Sequence, residues 1–434
     1  MSSSPRLIYL NADFDISLRD RPISHRSGRF QQGIEELSLS AIVAGTARDR
    51  CLVRRWPDPR FIQILSRLDL DVCQPLLHPG TWRGVDALDL PEGCVFEPYA
   101  WSGEAIHMAE NWSLPSPPLS LDVVKRVNSR EFSLEVEKSI GSCPEASRMF
   151  TRLKDIETFL ETQPPRPHGW VVKSTHGNAG LANRKVPGPG LDETDSKVIS
   201  GYLAEDAAVQ VEPWFERIRD ISASGWVQPD GTVSRVRKSA TETTAQGSFI
   251  GIWFEAGDRE GARPGAQPGG ILPREEESLD HAMRETARAL GAAGYHGPFG
   301  IDGFVHDSGG TQVVRAPIDI NARHPLSFAS RRLFDRLGDD RQGLWRFYND
   351  RKFNWPPDHD AFLEALGSDA FAKDSRRGVI LTTPTTSRIT RQGKPVGDNI
   401  RTRKLGVLFI DRDPERVRQL EQRFFNRFAR RREA

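Results

Sequence analysis

Cysteines are scarce in this sequence, and their spacing does not suggest a metal site or a disulfide framework. Cys51, Cys73, Cys94 and Cys143 lie far apart, and no Cys-x-x-Cys pair occurs. This spacing excludes zinc sites built from paired cysteines and favours reduced thiols. We therefore expect a cytoplasmic protein.

Neither sign of charge is in excess, which limits the kinds of partner. The chain has 60 Lys and Arg residues against 59 Asp and Glu residues, which gives a net charge of +1. Such a balance argues against a general affinity for nucleic acid, because that affinity needs a broad basic surface. The basic stretch at residues 427–432 is interpreted as a solvated helix end.

Long apolar runs are also missing. No stretch approaches the roughly 18–20 apolar residues of a membrane span. Residues 1–6 lead into a short apolar strand at 7–10, without the longer apolar run of a signal peptide. We expect no membrane partner, and the 434 residues are enough for two or three domains.

Short strands and helical patterns alternate along the chain, as in α/β proteins. They predict an α/β region at 1–118 that ends in a proline-rich linker. Helices are predicted at 121–140, at 146–160 and around 331–347. Asp13 and Asp15 follow the first strand, where open α/β sheets place ligand groups, although a helix cap is the simpler interpretation.

Oxygen-bearing side chains recur on two apparent strands near residues 300–323. Asp302 lies on the first strand, and Asp319, Asn321 and Arg323 lie on the second. Because side chains at i, i+2 and i+4 of a strand share a face, the last three project together. Two carboxylates and an amide oxygen suit Mg²⁺, which fills its remaining positions with water and nucleotide phosphates. The alternative is a solvated strand end with ordinary surface charges.

A lysine precedes a glycine-bearing turn at residues 171–180. The strand delivers Lys173, and the turn from Ser174 to Gly180 can bring backbone N–H groups close to an anion. This is not a Walker A loop, in which the lysine follows the glycines. An ordinary hairpin turn is the alternative.

An acidic and aromatic segment follows at residues 209–222. Glu212 ends an apolar strand, Trp214 and Phe215 come next, and Asp220 lies further along. Together they could supply an apolar wall and edge contacts for a purine, with a carboxylate for a ribose. The alternative is an aromatic-packed bend with surface charges.

In chain order, these three segments resemble the ATP-grasp superfamily. The resemblance covers residues 119–330 and implies an α+β ATP-grasp fold, in which ATP lies between two subdomains, here 119–205 and 206–345. The region at 1–118 then corresponds to the Rossmann-like α/β domain that commonly precedes this fold. Residues 346–434 are expected to form an α/β extension.

The resemblance also implies a role for each matching residue. Lys173 would contact the α- and β-phosphates, residues 174–180 would form a mobile lid, residues 212–215 would be the adenine hinge, and Asp220 would hold the ribose. The implied Mg²⁺ ligands are Asp302, Asp319 and Asn321, and Arg323 would steady the transferring phosphoryl group or the acyl phosphate. The full set implied to bind ATP is Arg130, Lys173, Ser174, Gly177, Gly180, Glu212, Trp214, Phe215 and Asp220.

Two positions depart from the family pattern. Arg130 falls near the family's usual earlier lysine, where it keeps the charge and can form a forked contact with phosphate. Asp319 stands where the family more often has glutamate, so this ligand is one methylene shorter. Pro317 lacks an N–H and predicts a bulge or an edge strand at this point. Asp302 and Asp319 are 319 − 302 = 17 positions apart, a hairpin longer than a tight turn needs, so the sequence leaves their register open.

The resemblance implies an ATP- and Mg-dependent enzyme that joins a carboxylate to an amine through an acyl phosphate. Its substrates would be small molecules. Arg237, on a probable strand with Arg235 and Lys238, could hold the substrate carboxylate, or these could be plain exposed residues. A phosphotransferase on the same scaffold and a non-catalytic nucleotide-binding module are the alternatives. Nothing in the sequence indicates an oligomeric state.

Overall fold

The computed structural model describes residues 4–19, 28–78, 90–177, 183–245, 247–255, 270–338, 340–391 and 394–430. Across these ranges, no helix is long and apolar enough to cross a bilayer.

The N-terminal region is built on a parallel sheet. Its strands have the order β4-β2-β1-β5, and β1 pairs in parallel with both of its neighbours. The carboxyl ends of β1 and β5 meet at one edge, where open α/β sheets bind ligands. The elements of this region are β1 Arg6–Tyr9, α1 Phe14–Ser17, α2 Gly28–Leu37, β2 Arg50–Val53, β3 Trp56–Pro57, α3 Pro59–Arg67, β4 Gln74–Leu77, β5 Val95–Pro98 and α4 Gly103–Asn111.

The next region contains a small antiparallel sheet, which we call the small sheet. Its strand order is β6-β9-β7-β8, and β7 is buried along its whole length. The elements are α5 Leu121–Val127, α6 Arg130–Ile140, β6 Arg148–Phe150, α7 Leu153–Thr162, β7 Trp170–Ser174, β8 Asn183–Val186, α8 Glu193–Glu205 and β9 Val209–Pro213.

The rest of the chain is organised around a large antiparallel sheet of order β14-β13-β10-β11-β12-β15-β19-β16. A smaller hairpin, β17 and β18, pairs with β3 of the N-terminal region. The elements are β10 Arg217–Val227, β11 Val233–Thr243, β12 Phe249–Glu255, α9 Pro273–Ala292, β13 Gly297–Ser308, β14 Thr311–Asn321, α10 Phe328–Asp335, β15 Gln342–Asn349, α11 His359–Leu366, β16 Gly378–Leu381, β17 Thr386–Arg391, β18 Lys394–Arg401, β19 Lys404–Asp411 and α12 Pro414–Phe428.

Side chains of β10 alternate between the two faces of the large sheet, and one of these faces packs in the core. Ile221 and Ala223 are buried and pack in the cluster that contains Leu279 and Met283 of α9. Residues between them on β10 therefore project from the other face of the sheet. We call that side the cleft face.

Three helix predictions were wrong in part. The predicted helix at 121–140 is two helices, because Ser129 begins the second by accepting a hydrogen bond from the N–H of Phe132 at 3.1 Å. The pattern at 146–160 begins with strand β6, and that at 331–347 ends in strand β15. Short apolar runs fit either element, and pairing with distant strands decided both cases.

The four-region division remains a prediction, and the sheets run across two of its boundaries. Strand β9, after residue 205, belongs to the small sheet, and β15, which spans residue 345, lies inside the large sheet. The long Gly- and Pro-rich stretch predicted at 257–273 falls mostly outside the described residues, and α9 begins at Pro273.

Candidate active site

A cleft of about 470 Å³ lies between the small sheet and the cleft face of the large sheet. Lys173, Gly177 and Asn183 contribute from β7, β8 and the chain between them. The loop that follows β14 and Tyr99, which follows β5, also line it. The N-terminal region, the small sheet and the large sheet therefore all contribute to one site.

Small hydroxyl side chains form the floor of the cleft. Ser222 and Ser239 are cross-strand partners, and Ser222 also faces Asp302 in the ladder between β10 and β13. Ser224 and Gly300 are partners in the adjacent row. Because these side chains are short, they leave room above the sheet for a ligand.

The sequence left the register of the acidic residues open, and the structure settles it. Asp302 and Asp319 are direct partners on β13 and β14, and Asn321 pairs with Gly300. The amide nitrogen Nδ2 of Asn321 donates to Oδ2 of Asp302 at 3.1 Å. The three predicted metal ligands therefore meet at one point of the cleft.

The predicted irregularity at Pro317 is confirmed, since β14 is an edge strand with a bulge. Asp302 pairs with Asp319, but Phe304 pairs with Arg315, so β14 carries extra residues between the two pairs. Gly303 lies opposite this bulge, where an added Cβ would lie 2.8 Å from the Cβ of Ala316. A larger residue at 303 would disturb the ladder beside Asp302.

Burial and mutual repulsion make it unfavourable for Asp302 and Asp319 to be charged at the same time. Burial and the neighbouring carboxylate of Asp319 raise the pKa of Asp302 to about 6. Nη1 of Arg130, which begins α6, lies 2.8 Å from Oδ1 of Asp319 and offsets part of the negative charge. A cation bound between the two carboxylates would offset the rest.

Arg323 is held from the N-terminal region. Its Nε and Nη2 donate to the two carboxylate oxygens of Asp15 at 2.9 and 3.0 Å. The guanidinium also lies 5.0 Å from the ring centroid of Tyr99. Asp15 therefore pairs with Arg323 and is not the helix cap that the sequence favoured.

A buried ion network connects the two sheets behind the cleft. Nζ of Lys173 lies 2.5 Å from one oxygen of Glu212, and Nη2 of Arg315 lies 2.5 Å from the other. Nε of Arg315 also lies 2.5 Å from Glu137 on α6. Each of these four side chains is at most 4% exposed.

The network shifts the pKa values of its members. Burial alone would raise the pKa of Glu212, but the charges of Arg315 and Lys173 outweigh burial and lower the pKa to about 2. Burial lowers the pKa of Lys173, although Glu212 opposes this effect. Lys173 is therefore fixed at the cleft wall by its partner on β9.

Asp220 lies on the cleft wall next to this network. It accepts a hydrogen bond from Oγ1 of Thr243 at 2.7 Å and pairs with Nη1 of Arg217 at 2.7 Å. These two partners fix the Asp220 carboxylate on the cleft face. Asp220 is the residue that the resemblance implied would hold the ribose.

Four residues predicted to contact ATP are not among the described residues that line the cleft. The hydroxyl of Ser174 bonds to Asp206, and both oxygens of Glu212 are held in the ion network. Trp214 is covered by Nζ of Lys185 at 3.6 Å from its ring centroid, and Phe215 packs against Phe304. The predicted Gly180 lies outside the described residues.

No protein-family model and no curated protein matches this sequence. Solved structures match it over nearly the whole chain. The N5-carboxyaminoimidazole synthetase from Staphylococcus aureus is 12% identical to this chain, with a TM-score of 0.50. The match covers 99% of this chain and 98% of the synthetase chain. The N5-carboxyaminoimidazole ribonucleotide synthetase from Thermus thermophilus is 13% identical over 97% and 98%, also with a TM-score of 0.50. The chain has the ATP-grasp fold.

A larger protein shares the fold over part of its length. The pyruvate carboxylase from Rhizobium etli is 10% identical, with a TM-score of 0.51, and the match covers 98% of this chain but 37% of that one. At these identities the comparisons concern architecture alone. The ATP-grasp fold expected from the order of the motifs is thus confirmed, and the roles of individual residues remain proposals.

Within the ATP-grasp fold, the structure adds site residues that the sequence did not single out. Tyr99, Arg217, Trp226 and His324 all line the cleft. Trp226 could have been found, because it continues the alternation of Asp220, Ser222 and Ser224 along β10. Tyr99 carried no local signal, since only the packing of β5 against the loop after β14 brings it to the site.

Proposed function

We propose that this chain is an ATP- and Mg-dependent ligase that joins a carboxylate to an amine through an acyl phosphate. The observation that carries the proposal is the meeting of Asp302, Asp319 and Asn321 in the cleft of an ATP-grasp fold, across from Lys173. Synthetases are among the proteins that share this architecture. The substrates would be small molecules.

Two carboxylates and an amide fit a magnesium ion that completes its shell with phosphate and water. Among the described residues, no group of three or more His, Cys, Asp or Glu side chains could form a dedicated metal cage. Asp302, Asp319 and Asn321 would therefore hold Mg²⁺ together with the nucleotide. When bound, Mg²⁺ supplies positive charge that neutralises the phosphates.

The remaining cleft residues suit the nucleotide. Lys173 and Arg130 line the cleft, and their positive charges would pair with the phosphates. Gly177 also lines the cleft and would allow a close approach of the backbone. Asp220, fixed by Thr243, would accept hydrogen bonds from ribose hydroxyls. Glu212 would act indirectly, because it holds Lys173 in place.

The chemistry needs no nucleophile from the protein. An oxygen of the substrate carboxylate attacks the γ-phosphorus of ATP, and ADP leaves. The amine then attacks the acyl carbon, phosphate leaves with the former carboxylate oxygen, and the nitrogen loses a proton. The protein must position the reactants in line and stabilise the phosphoryl charge, for which Arg323 lies beside the acidic pair.

The proposal is tested by ADP release and hydroxylamine trapping. We expect one or more small carboxylic acids to stimulate Mg-dependent ADP release and to give a hydroxamate when hydroxylamine replaces the amine. A stable phosphorylated product without hydroxamate would instead identify a phosphotransferase. Nucleotide binding without ADP release, with all acids and amines tried, would indicate a non-catalytic module.

Asp15 is predicted to act by positioning Arg323. In Asp15→Asn, the amide cannot accept both bonds, so we expect kcat to fall about 10–100-fold with little change in the KM for ATP. Asp15→Glu should recover part of kcat because it keeps the charge. Asp369→Asn is a suitable control, since Asp369 forms a similar forked pair with Arg423 away from the cleft. Equal effects of the two Asn variants on kcat would show that Asp15 has only a structural role.

A further inference from the structure

One end of the cleft is rich in arginine, and the roles proposed for ATP do not use it. We call it the arginine end and define it by Trp226, Arg235, Arg237, Arg331 and Asp335, which all line the cleft. They come from β10, β11 and α10. The arginine end lies beyond Ser224 on the same face as the acidic pair.

A β-bulge places Arg235 at this end. Ser224 pairs with Arg237, so an uninterrupted ladder would put Arg235 directly opposite Trp226, but Trp226 pairs with Ser234 instead. Arg235 has a φ of 54°, which is uncommon for a residue other than glycine. Its guanidinium lies 5.4 Å from the centroid of the Trp226 ring. Bulges of this kind often redirect a side chain beside a functional site.

One arginine of the arginine end, Arg235, differs from the others in its ionic contacts. Asp335 serves two guanidinium groups, since Oδ1 lies 2.8 Å from Nε of Arg331 and Oδ2 lies 3.5 Å from Nη2 of Arg237. Arg235 pairs with no carboxylate in the part of the chain that the structure describes. A bound anion would pair with the Arg235 guanidinium beside Arg237.

The distance from this end to the acidic pair suits a small molecule. Arg237, Ser224, Gly300 and Asn321 form one cross-strand row. Three strand spacings separate the outer two, or about 14 Å between their Cα atoms. The side chains of Arg237 and Asn321 take up part of that span. A compact molecule lying over the hydroxyl floor would fill the rest.

We infer that the acid substrate carries a second anionic group, a carboxylate or a phosphate, which binds Arg235 and Arg237. Its other carboxylate, the one to be activated, lies at Asp302 and Asp319. This inference rests on the proposed ligase function and adds the class of the acid substrate. Trp226 serves as the apolar wall that keeps Arg235 in position.

Equilibrium binding to the full chain tests the inference directly. Dicarboxylates from malonate to adipate, and monocarboxylates of the same chain lengths, are titrated by calorimetry in the presence of ADP and Mg²⁺. We expect at least one dicarboxylate, or its phosphonate analogue, to bind about ten-fold or more tightly than the matching monocarboxylate. Tighter binding of the phosphonate would identify phosphate as the second group, and tighter binding of the dicarboxylate would identify carboxylate.

Variants show whether the arginine end causes the preference. Arg235→Gln combined with Arg237→Gln should reduce the preference to less than about three-fold, because the charge pairing is lost. Arg235→Lys should retain part of it. Lys238→Gln is the matched control, because Lys238 lies on the same strand but pairs with Glu276 and Asp280 on α9. An equal loss in Lys238→Gln would overturn the assignment.

The outcomes separate this inference from the proposed function. Hydroxamate formation with equal binding of mono- and dicarboxylates would overturn the inference and leave the ligase function intact. A clear preference for a dianion that depends on Arg235 and Arg237, without hydroxamate from any acid, would support the anion site and contradict the ligase. Failure of every dianionic acid to bind would also overturn the inference.

Discussion

Replacing Asp319 with alanine is expected to reduce Mg-dependent ADP formation about a thousand-fold. The substitution removes one of the two proposed carboxylate ligands and leaves Arg130 without its partner at 2.8 Å. Metal-ion charge neutralisation contributes several kcal/mol to the transition state, and each 1.36 kcal/mol is about a factor of ten in rate. Asn321→Ala should act in the same direction.

The control for this prediction lies on the same hairpin. Asp307 is exposed at the end of β13, where it accepts a hydrogen bond from the N–H of Gly310 in the turn. Asp307→Ala removes a carboxylate of the same type at a distance from the cleft. It should leave the rate of ADP formation within about two-fold of wild type, given the modest cost of losing one exposed hydrogen bond. Wild-type turnover in both Asp319→Ala and Asn321→Ala would contradict the metal assignment.

The largest expected loss of stability follows from Arg315→Met. Arg315 pairs with both Glu137 and Glu212. Its removal leaves two buried carboxylates, of which Glu212 keeps its ion pair with Lys173 and Glu137 loses its ion pair. Breaking a buried ion pair from one side costs about 3–5 kcal/mol. We expect the midpoint of guanidinium unfolding to fall accordingly. A midpoint like that of Arg152→Met, which breaks an exposed pair with Asp155, would contradict this account.

The same network predicts a sensitivity to acid. The folded-state pKa of Glu212 is about 2, below its ordinary value of 4.5. A lowered carboxylate pKa stabilises the folded state fully above the ordinary value, and the contribution is lost as the pH falls from about 4.5 toward 2. Arg315→Met should weaken this part of the pH dependence, which unfolding measurements between pH 5 and pH 3 would show.

The parts of the site that depend on local sequence could be predicted. Asp319, Asn321 and Arg323 share a strand at alternate positions, so their common direction follows from the period of a strand. Lys173 at the end of a buried strand was likewise readable, and the order of the segments indicated the fold. Even the irregularity at Pro317 followed from its missing N–H.

Other parts depended on contacts between distant segments and could not be predicted. Glu212 looks like a ligand group in the sequence, yet its two oxygens are taken up by β7 and β14. Asp15 and Arg323 lie far apart in the sequence, and the residues around each of them do not indicate that they pair. The bulge at Arg235 arises where β11 pairs with β10. The alternation of residues along β11 does not reveal where this bulge lies.

The measurement that tests the central claim most directly follows oxygen from the acid to phosphate. An acid that stimulates ADP release is labelled with ¹⁸O in its carboxylate, and the released inorganic phosphate is analysed by mass spectrometry. Activation through an acyl phosphate predicts one ¹⁸O atom in each phosphate, because the carboxylate oxygen leaves with it. Unlabelled phosphate alongside a coupled amide product would contradict the proposed mechanism.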